Sequence, residues 1–184
     1  HVDAAQLLLD KGAEVDRALR NGCTPLFIAC EKGRVDVARL LLDKDAAVDR
    51  AAEDGRTPLF IACQNGHVDE ARLLLDNGAE VDRATEAGPT PLFIACFKGQ
   101  VDAARLLLER GAEVNRAIEG GATPLWVVCH QGHVDVARLL LNNGAEVDRA
   151  DVHGQTPLDA ASQQDHADVV RLLLDAPRTN AAPP

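Results

Sequence analysis

An all-α solenoid of stacked, paired antiparallel helices with hairpin-type loops is the fold class that this 184-residue sequence predicts. Three features predict it: a repeated Thr-Pro-Leu, a repeated Leu-Leu-Leu, and glycines placed between them. The tripeptide Thr-Pro-Leu occurs five times, always 33 residues apart, beginning at Thr24, Thr57, Thr90, Thr123 and Thr156. Such a period indicates identical units that must stack, because one unit cannot bury its own apolar face.

The start of each repeat predicts a short first helix. In residues 21–53, an Asn-Gly pair typical of a tight turn comes first. Thr24 then offers a hydroxyl that caps a helix, and Pro25 suits the first helical position, where its missing N–H is not needed. We expect this helix to continue through Cys30 and to end near Gly33 in a left-handed conformation.

A second helix is predicted from about Val35 to Asp43. Its apolar residues fall on one helical face: Val35, Ala38, Leu41 and Leu42. Asp36 lies in the first turn, where the helix dipole favours a negative charge. A loop at 47–50 then leads to the next turn.

This unit resembles the ankyrin repeat in its length, its Thr-Pro-Leu start and its glycine and leucine positions. Matching turn glycines are Gly22, Gly55, Gly88, Gly121 and Gly154; inter-helix glycines are Gly33, Gly66, Gly99 and Gly132; the leucine runs begin at Leu7, Leu40, Leu73, Leu106, Leu139 and Leu172. The resemblance implies an ankyrin-repeat solenoid, which is a curved stack. We expect one array over 1–184, with a partial repeat at 1–20, full repeats at 21–53, 54–86, 87–119 and 120–152, a capping repeat at 153–175 and a Pro-rich tail at 176–184.

Residues 1–10 match only the second helix of a repeat, without the first helix that would pair with it. We therefore expect exposed apolar residues on the side where preceding chain would pack, and a natural array that extends further toward the N-terminus. The residues expected to be exposed are Val2, Ala5 and parts of Leu8 and Leu9.

The last repeat is more polar than the others, as terminal repeats must be. Asp159 stands where the earlier repeats have an aromatic residue, and a polar run follows it. Another irregularity is Asp45, which replaces a loop glycine at a cost of about 1 kcal/mol in a left-handed position.

Charge and cysteine usage narrow the functional class. The net charge of −10 argues against binding to nucleic-acid phosphates or anionic membranes.

We expect free, buried thiols in a reducing, cytoplasmic setting, because the repeat spacing holds the sulfurs too far apart for disulfides. One cysteine per repeat also offers no converging metal ligands, so we expect no metal and no cofactor. The repeated cysteines are Cys30, Cys63, Cys96 and Cys129.

An aromatic residue follows four of the five Thr-Pro-Leu copies, where ankyrin repeats usually have His. These residues are Phe27, Phe60, Phe93 and Trp126. Packing between repeats is the favoured interpretation, because each buried ring contributes roughly 1.5–3 kcal/mol. An aromatic ladder that grips a ligand is the alternative.

Two columns of arginines repeat at the same period. In the second helices, each arginine follows an aspartate by three residues, which predicts surface ion pairs: Asp36–Arg39, Asp69–Arg72, Asp102–Arg105, Asp135–Arg138 and Asp168–Arg171. The other column follows the loop, near acids such as Asp16 and Asp49: Arg17, Arg50, Arg83, Arg116 and Arg149. Structural pairing is favoured, with a basic stripe for an acidic partner as the alternative.

Catalytic patterns are lacking in the sequence, since no Ser-His-Asp, Cys-His or phosphate-binding glycine arrangement recurs. Three of the six His match a position before the second helix where the ankyrin resemblance implies a structural role: His67, His133 and His166. Asn115 replaces the loop aspartate, and by the same resemblance it is similar to a site for asparaginyl hydroxylation.

The resemblance also implies a binding surface, the concave side formed by hairpin tips and first helices. Residues at these positions vary between repeats while the scaffold columns do not. The candidates are Arg20, Asn21, Glu31, Lys32, Glu53, Asp54, Arg56, Gln64, Asn65, Glu86, Pro89, Phe97, Lys98, Glu119, His130, Gln131, His153 and Gln155, with Cys23 among their neighbours. Phe97 stands out, because sister repeats have Glu, Gln or His there; an exposed aromatic with polar neighbours is typical of an interaction anchor, and a surface ring without a role is the alternative.

These observations predict a protein–protein interaction scaffold without catalysis. Its partner would be another protein or peptide, and we expect a monomer that binds neither nucleic acid nor membranes. The alternative is an ankyrin segment that targets or regulates a larger enzyme or multidomain protein.

Overall fold

The computed structural model describes residues 2–176, and in that range the chain is all-helical without strands. His1 and the predicted tail from 177 onward lie outside the described residues. The helices are α1 (Val2–Asp10), α2 (Pro25–Glu31), α3 (Val35–Asp43), α4 (Pro58–Asn65), α5 (Val68–Asp76), α6 (Pro91–Phe97), α7 (Val101–Glu109), α8 (Pro124–Gln131), α9 (Val134–Asn142), α10 (Pro157–Gln163) and α11 (Ala167–Asp175).

The helices pack pairwise within two compact units, one up to Pro91 and one from Leu92 onward. In the first unit, α2 packs on α3 and α4, and α3 packs on α1 and α5. In the second unit, α8 packs on α9 and α10, and α9 packs on α7 and α11. The predicted fold class, with a short first helix and a longer second helix in each repeat, is confirmed.

The repeated threonine begins the first helices as predicted. The Thr24 Oγ1 accepts a hydrogen bond from the Phe27 N–H at 3.1 Å, and the proline after it occupies the first turn. Thr57 and Thr123 cap α4 and α8 in the same way. In α10 the bond is reciprocated, because Asp159 accepts from the backbone N–H of Thr156 at 2.8 Å.

The core consists of aliphatic side chains, three phenylalanine rings and thiols. All five cysteines are free and buried, as expected. Burial raises the pKa of the Cys129 thiol to about 12, so this group stays protonated at neutral pH. The thiols therefore pack as small apolar groups.

Histidine rings connect neighbouring repeats by hydrogen bonds and by packing at the inter-helix glycines. The Nε2 atoms of His67, His133 and His166 donate to the carbonyl oxygens of Glu31, Phe97 and His130 at 3.2, 3.3 and 3.1 Å. Each ring fills space above a glycine of the preceding repeat, and a Cβ on Gly132 would lie 2.6 Å from the His166 ring. The structural role of these three histidines is confirmed.

Two non-glycine residues adopt a left-handed conformation in the described part of the chain. Asp45 has a φ of 63°, as its alignment with loop glycines predicts. Asp165, with a φ of 56°, replaces an inter-helix glycine in the last repeat. Aspartate tolerates this region better than most residues but still costs about 1 kcal/mol relative to glycine.

The predicted ion pairs within the second helices are wrong. Across residues 2–176, none of the five aspartate–arginine pairs, such as Asp36–Arg39, forms an ion pair. Both groups of each pair are exposed, and in water a fixed surface pair gains less than the side-chain entropy it costs.

The loop arginines pair with glutamates rather than with the adjacent aspartates. Their guanidinium groups lie 3.6–3.9 Å from the carboxylate three residues earlier in Glu80–Arg83, Glu113–Arg116 and Glu146–Arg149. Structural pairing is thus confirmed for these three, but with a different acid. Arg50 follows an alanine at that position and lacks the corresponding glutamate.

The loop aspartates bind the backbone of the following loop instead. The carboxylate of Asp16 accepts from the Ala47 N–H at 3.1 Å, and Asp49 accepts from the Glu80 N–H at 3.0 Å through Oδ2. The other oxygen of Asp49, Oδ1, is buried without a hydrogen-bond partner.

Asn115 occupies the equivalent position and uses both ends of its amide. Its Oδ1 accepts from the Glu146 N–H at 2.9 Å, and its Nδ2 donates to the Gly144 carbonyl at 3.2 Å. By repeat position, the carbonyl that corresponds to Gly144 in the earlier loop belongs to Gly78. An amide at position 49 would therefore have a partner where the carboxylate has none.

Glu70 is buried in the first unit although it is charged. It is 4% exposed, and it forms no hydrogen bond or ion pair within the described residues. Four sister repeats have Val or Ala at this position: Val37, Ala103, Val136 and Val169. Burial and the charge of Glu70 together raise the pKa of the Cys30 thiol, which places the carboxylate near the core of the preceding repeat.

We predict that Gly132→Ala destabilises the protein more than Gly144→Ala. Both glycines have a positive φ, 78° and 83°, so alanine costs about 1 kcal/mol at either site. Only at Gly132 does the new Cβ displace the His166 ring, which loses its hydrogen bond and adds roughly 1 kcal/mol. Urea denaturation of both variants measures the difference; equal losses would contradict the close contact.

We predict that Asp49→Asn stabilises the protein by about 1 kcal/mol, because the new amide N–H₂ satisfies the Gly78 carbonyl. The reverse change, Asn115→Asp, should destabilise it by a similar amount. Asp148→Asn is the matched control, since Asp148 lies in the same loop position, is exposed and makes no side-chain hydrogen bond in the described range. The comparison fails if Asp148→Asn stabilises the protein as much as Asp49→Asn in thermal melts.

We predict that Glu70→Val raises the free energy of unfolding by about 1 kcal/mol, because valine adds apolar contact at a position that is 4% exposed. Valine is the residue of three sister repeats, so the backbone accepts it. Asp69→Ala removes a charge from an exposed neighbour in the same helical turn and should be slightly destabilising. A loss of stability in Glu70→Val, measured by chemical denaturation, would mean that the carboxylate has a needed partner.

Candidate partner-binding surface

The candidate residues lie in two rows, the hairpin turns and the C-terminal ends of the first helices. In the first unit the hairpin row contains Arg20, Asn21, Glu53, Asp54, Arg56, Glu86 and Pro89, and the helix row contains Glu31, Lys32, Gln64 and Asn65. In the second unit the hairpin row contains Glu119, His153 and Gln155, and the helix row contains Phe97, Lys98, His130 and Gln131. All of these side chains are exposed or half-buried.

Cys23 does not belong to this surface. It is buried, and burial is the main cause of the raised pKa of its thiol. The side chain is short and lies beside the capped start of α2. Its position between variable neighbours in the sequence does not make it accessible.

Backbone hydrogen bonds connect the hairpin turns of successive repeats. The Glu53 N–H donates to the Asn21 carbonyl at 3.0 Å in the first unit, and the Val152 N–H donates to the Gly120 carbonyl at 3.2 Å in the second. Three turn glycines, Gly22, Gly55 and Gly121, have no room for a side chain; a Cβ on Gly55 would lie 2.7 Å from the Glu86 nitrogen. The turns are therefore held at a fixed spacing.

Two rings of the aromatic column, those of Phe27 and Trp126, contact the hairpin of the next repeat. In the first unit the Arg56 guanidinium lies 5.8 Å from the centre of the Phe27 ring. In the second unit the Trp126 Nε1 donates to the Gln155 carbonyl at 3.0 Å. Phe27, Phe60 and Phe93 are buried, which confirms packing as their role, while Trp126 is half-buried.

Charged contacts characterise the surface of the first unit. The Arg56 Nε lies 2.7 Å from the Asp54 carboxylate, and the Lys32 Nζ lies 3.0 Å from that of Glu31. Asn65 donates to the Glu31 carbonyl at 3.0 Å across the repeat boundary. These polar side chains form local pairs at the edge of the row and remain accessible.

Aromatic contacts characterise the surface of the second unit. The Phe97 side chain is 37% exposed, which fits the sequence-based expectation of an exposed ring, and the Lys98 ammonium lies 5.1 Å from its centre. The rings of Trp126 and His130 stack with their centres 5.3 Å apart. The His130 Nδ1 lies 3.3 Å from the Gln131 amide nitrogen.

Comparison with protein families settles the identity of the fold. A family described as ankyrin repeats (3 copies) matches residues 45–118 and 117–182, and one described as ankyrin repeats (many copies) matches residues 1–42. The chain is an ankyrin repeat protein. No curated protein matches it.

Ankyrin repeats are generally protein–protein interaction modules, and the family is typically non-catalytic. None of the helices within residues 2–176 of this ankyrin repeat protein is long and apolar enough to cross a membrane. The structure thus places variable, accessible side chains on two rows that a fixed scaffold holds.

Sequence reasoning missed three surface features of this ankyrin repeat protein. Leu19, in the first hairpin, is 61% exposed, although nothing in its repeat position announces it. The stacking of Trp126 on His130 follows from their spacing of four residues on one helix, so the sequence did contain that signal. Leu7 is also exposed, beyond the α1 residues that were expected.

Proposed function

We propose that this chain is a protein-binding scaffold without catalysis, and that a partner protein contacts its hairpin turns and the ends of its first helices. Membership of the ankyrin family supports protein binding in general. The choice of surface rests on the contrast between repeated and variable positions within this chain.

The proposal depends on the contrast between two sets of equivalent positions in the first helices. Leu26, Leu59, Leu92 and Leu125 are identical and 0% exposed, because packing dictates them. Five residues later, the column of Glu31, Gln64, Phe97 and His130 has four different residues, and each of these is at least partly accessible. Residues that packing leaves free and that solvent reaches are the ones available for recognition.

Phe97 is the expected anchor of the second unit. An aromatic ring gives up little conformational freedom on binding and buries a large area, so rings often dominate interface energetics. The ring is held on the last residue of α6, and its own carbonyl accepts the hydrogen bond from His133. The backbone beneath the ring is therefore fixed by the next repeat.

The charged side chains in the two rows of the first unit would supply binding specificity rather than most of the affinity. Exposed ion pairs such as Arg56–Asp54 contribute little by themselves, but they disfavour partners with the wrong charge pattern. Within the second unit, a partner would combine an apolar contact at Phe97 with polar contacts to neighbours such as Lys98 and Gln131. The five free thiols fit the expected reducing compartment.

We predict that Phe97→Ala weakens binding of a captured partner by about 2 kcal/mol, or roughly 30-fold, because it removes the anchor ring. The measurement is affinity capture with the wild-type chain, followed by titration of the purified partner against both proteins. Thermal melts of Phe97→Ala measure separately what the ring, which is 37% exposed, contributes to stability.

Arg105→Ala is the matched control, because Arg105 is exposed on the second helix of the same repeat. Its affinity for the partner should equal that of the wild type. If Phe97→Ala binds as tightly as the wild type, Phe97 is not the anchor. If only second-helix variants weaken binding, the partner uses the opposite face of the repeats and the proposed surface is wrong.

A further inference from the structure

The first unit contains an example of how a cation is held on the aromatic column. The Arg56 guanidinium, in one hairpin, lies 5.8 Å from the centre of the Phe27 ring in the preceding repeat. Its Nε also lies 2.7 Å from the Asp54 carboxylate. A ring face attracts a cation because the ring carries a negative potential above its plane. A ring of this column, the next hairpin and a carboxylate can therefore hold a guanidinium group together.

At the equivalent position of the second unit, the ring remains but the arginine is absent. Trp126 stands at the Phe27 position, and Gln155 stands at the Arg56 position. The Trp126 Nε1 donates to the Gln155 carbonyl at 3.0 Å, so the hairpin lies beside the ring as it does in the first unit. Within residues 2–176, no lysine or arginine lies over this indole. Indole is the aromatic group that binds cations best, so the stronger ring has no cation of its own.

A second ring enlarges the aromatic surface at Trp126. The His130 imidazole stacks on the indole, with ring centres 5.3 Å apart and an angle of 13° between the planes. Both side chains are half-buried, so part of each is accessible. A guanidinium is planar and stacks on aromatic faces, whereas an ammonium is compact and strongly hydrated. The stacked pair therefore suits arginine better than lysine.

A carboxylate replaces the next ring of the column. Asp159 lies one repeat after Trp126, on α10, which packs on α8. Its Oδ2 accepts from the Thr156 hydroxyl at 2.7 Å and from the Thr156 N–H at 2.8 Å. These hydrogen bonds lower the pKa of the carboxyl, which is therefore ionised at neutral pH. Its Oδ1 is exposed and has no hydrogen bond in the described part of the chain, so this oxygen is available to a partner.

The charge around the stacked rings has one sign. Residues 119–131 and 151–164 contain no lysine or arginine, but they contain three carboxylates, those of Glu119, Asp151 and Asp159. None of the three forms an ion pair among residues 2–176. The equivalent segments of the first unit, 20–32 and 52–65, are balanced, with Arg20, Lys32 and Arg56 against Glu31, Glu53 and Asp54. The end of the second unit therefore favours a basic partner.

We propose that the hairpins and first helices of the last two repeats bind an arginine of the partner protein, with its guanidinium on the Trp126–His130 rings and paired with Asp159. This inference rests on the proposed function, because it names what the partner presents to one part of the same surface. The net charge of −10 favours the approach of a basic segment. The planar rings and the carboxylate then select arginine within that segment.

Trp126 reports on this site by itself, because it is the only tryptophan and the chain has no tyrosine. The probe is a short capped peptide in which arginine alternates with glycine. Its twin has citrulline, the neutral isostere of arginine, in place of each arginine. Titration of the full chain should give a saturable change in Trp126 fluorescence with the Arg peptide and at least about tenfold weaker binding of the citrulline twin.

Gln155→Arg is the most direct variant, because it builds into the second unit the contact that Arg56 makes in the first. The new guanidinium should cover Trp126 and weaken the Arg peptide at least about tenfold. Ala167→Arg is the matched control, since it adds the same charge at an exposed position of α11 in the same repeat. Its affinity for the Arg peptide should stay within about twofold of the wild type.

A second pair of variants tests the carboxylate. Asp159→Asn keeps an acceptor oxygen for Thr156 and should weaken the Arg peptide about threefold, as expected for an exposed ion pair. Asp168→Asn removes the same charge from an exposed position of α11 and should leave the affinity unchanged. Thermal melts of all four variants identify any that lose the fold, and the comparison of the two peptides on the wild-type chain needs no variant.

Equal affinity of the wild type for the Arg peptide and its citrulline twin would overturn the proposal. A Gln155→Arg variant that binds the Arg peptide as tightly as Ala167→Arg would also overturn it. So would the lack of a saturable change up to about 10 mM Arg peptide. If the Arg peptide fails to bind while Phe97→Ala still weakens a captured partner, only the arginine site is wrong. If the peptide binds as expected but only second-helix variants weaken the captured partner, the arginine site stands and the proposed function is wrong.

Discussion

A helix of seven or eight residues is not stable alone in water, because too few hydrogen bonds form to offset the cost of nucleation. Every first helix of this chain has about that length. Each one therefore depends on the helices beside it, and the threonine cap and the proline only lower the cost of starting it. This dependence explains why the core positions are nearly identical from repeat to repeat: a change in one helix is felt by its neighbours on both sides.

The sequence predicted the features that form within one repeat. It missed the features that depend on side-chain conformation or on contacts between repeats. Thr24, Pro25 and Gly33 act within one repeat, so local rules placed the cap, the first turn and the left-handed end correctly. The second-helix ion pairs, in contrast, depended on side-chain conformations in water, where pairing has little advantage. The isolated Oδ1 of Asp49 depends on a carbonyl about 30 residues away in the chain, and the exposure of Leu19 depends on which helix covers it. Neither follows from spacing alone.

The candidate partner-binding surface was also predictable only in part. Its location follows from the repeat, because hairpins and helix ends occur wherever the scaffold places them. Its chemistry does not, since Phe97, His130 and Gln64 occupy one column and have nothing in common. Recognition in such a protein depends on the positions that folding stability does not constrain. The variable residues of one repeat therefore do not predict what the next repeat binds.

The boundary between residues 21–53 and 54–86 differs from a uniform stack in a way that affects motion. The unpartnered oxygen of Asp49 and the buried side chain of Glu70 both lie at this boundary. The hydrogen bonds of Asn65 and His67 to the Glu31 carbonyl cross the same boundary and stabilise it. In a linear array, the coupling between neighbours sets how readily adjacent repeats open. The unpartnered oxygen subtracts from that coupling, so a change confined to Asp49 would alter the opening of repeats whose own core residues stay the same.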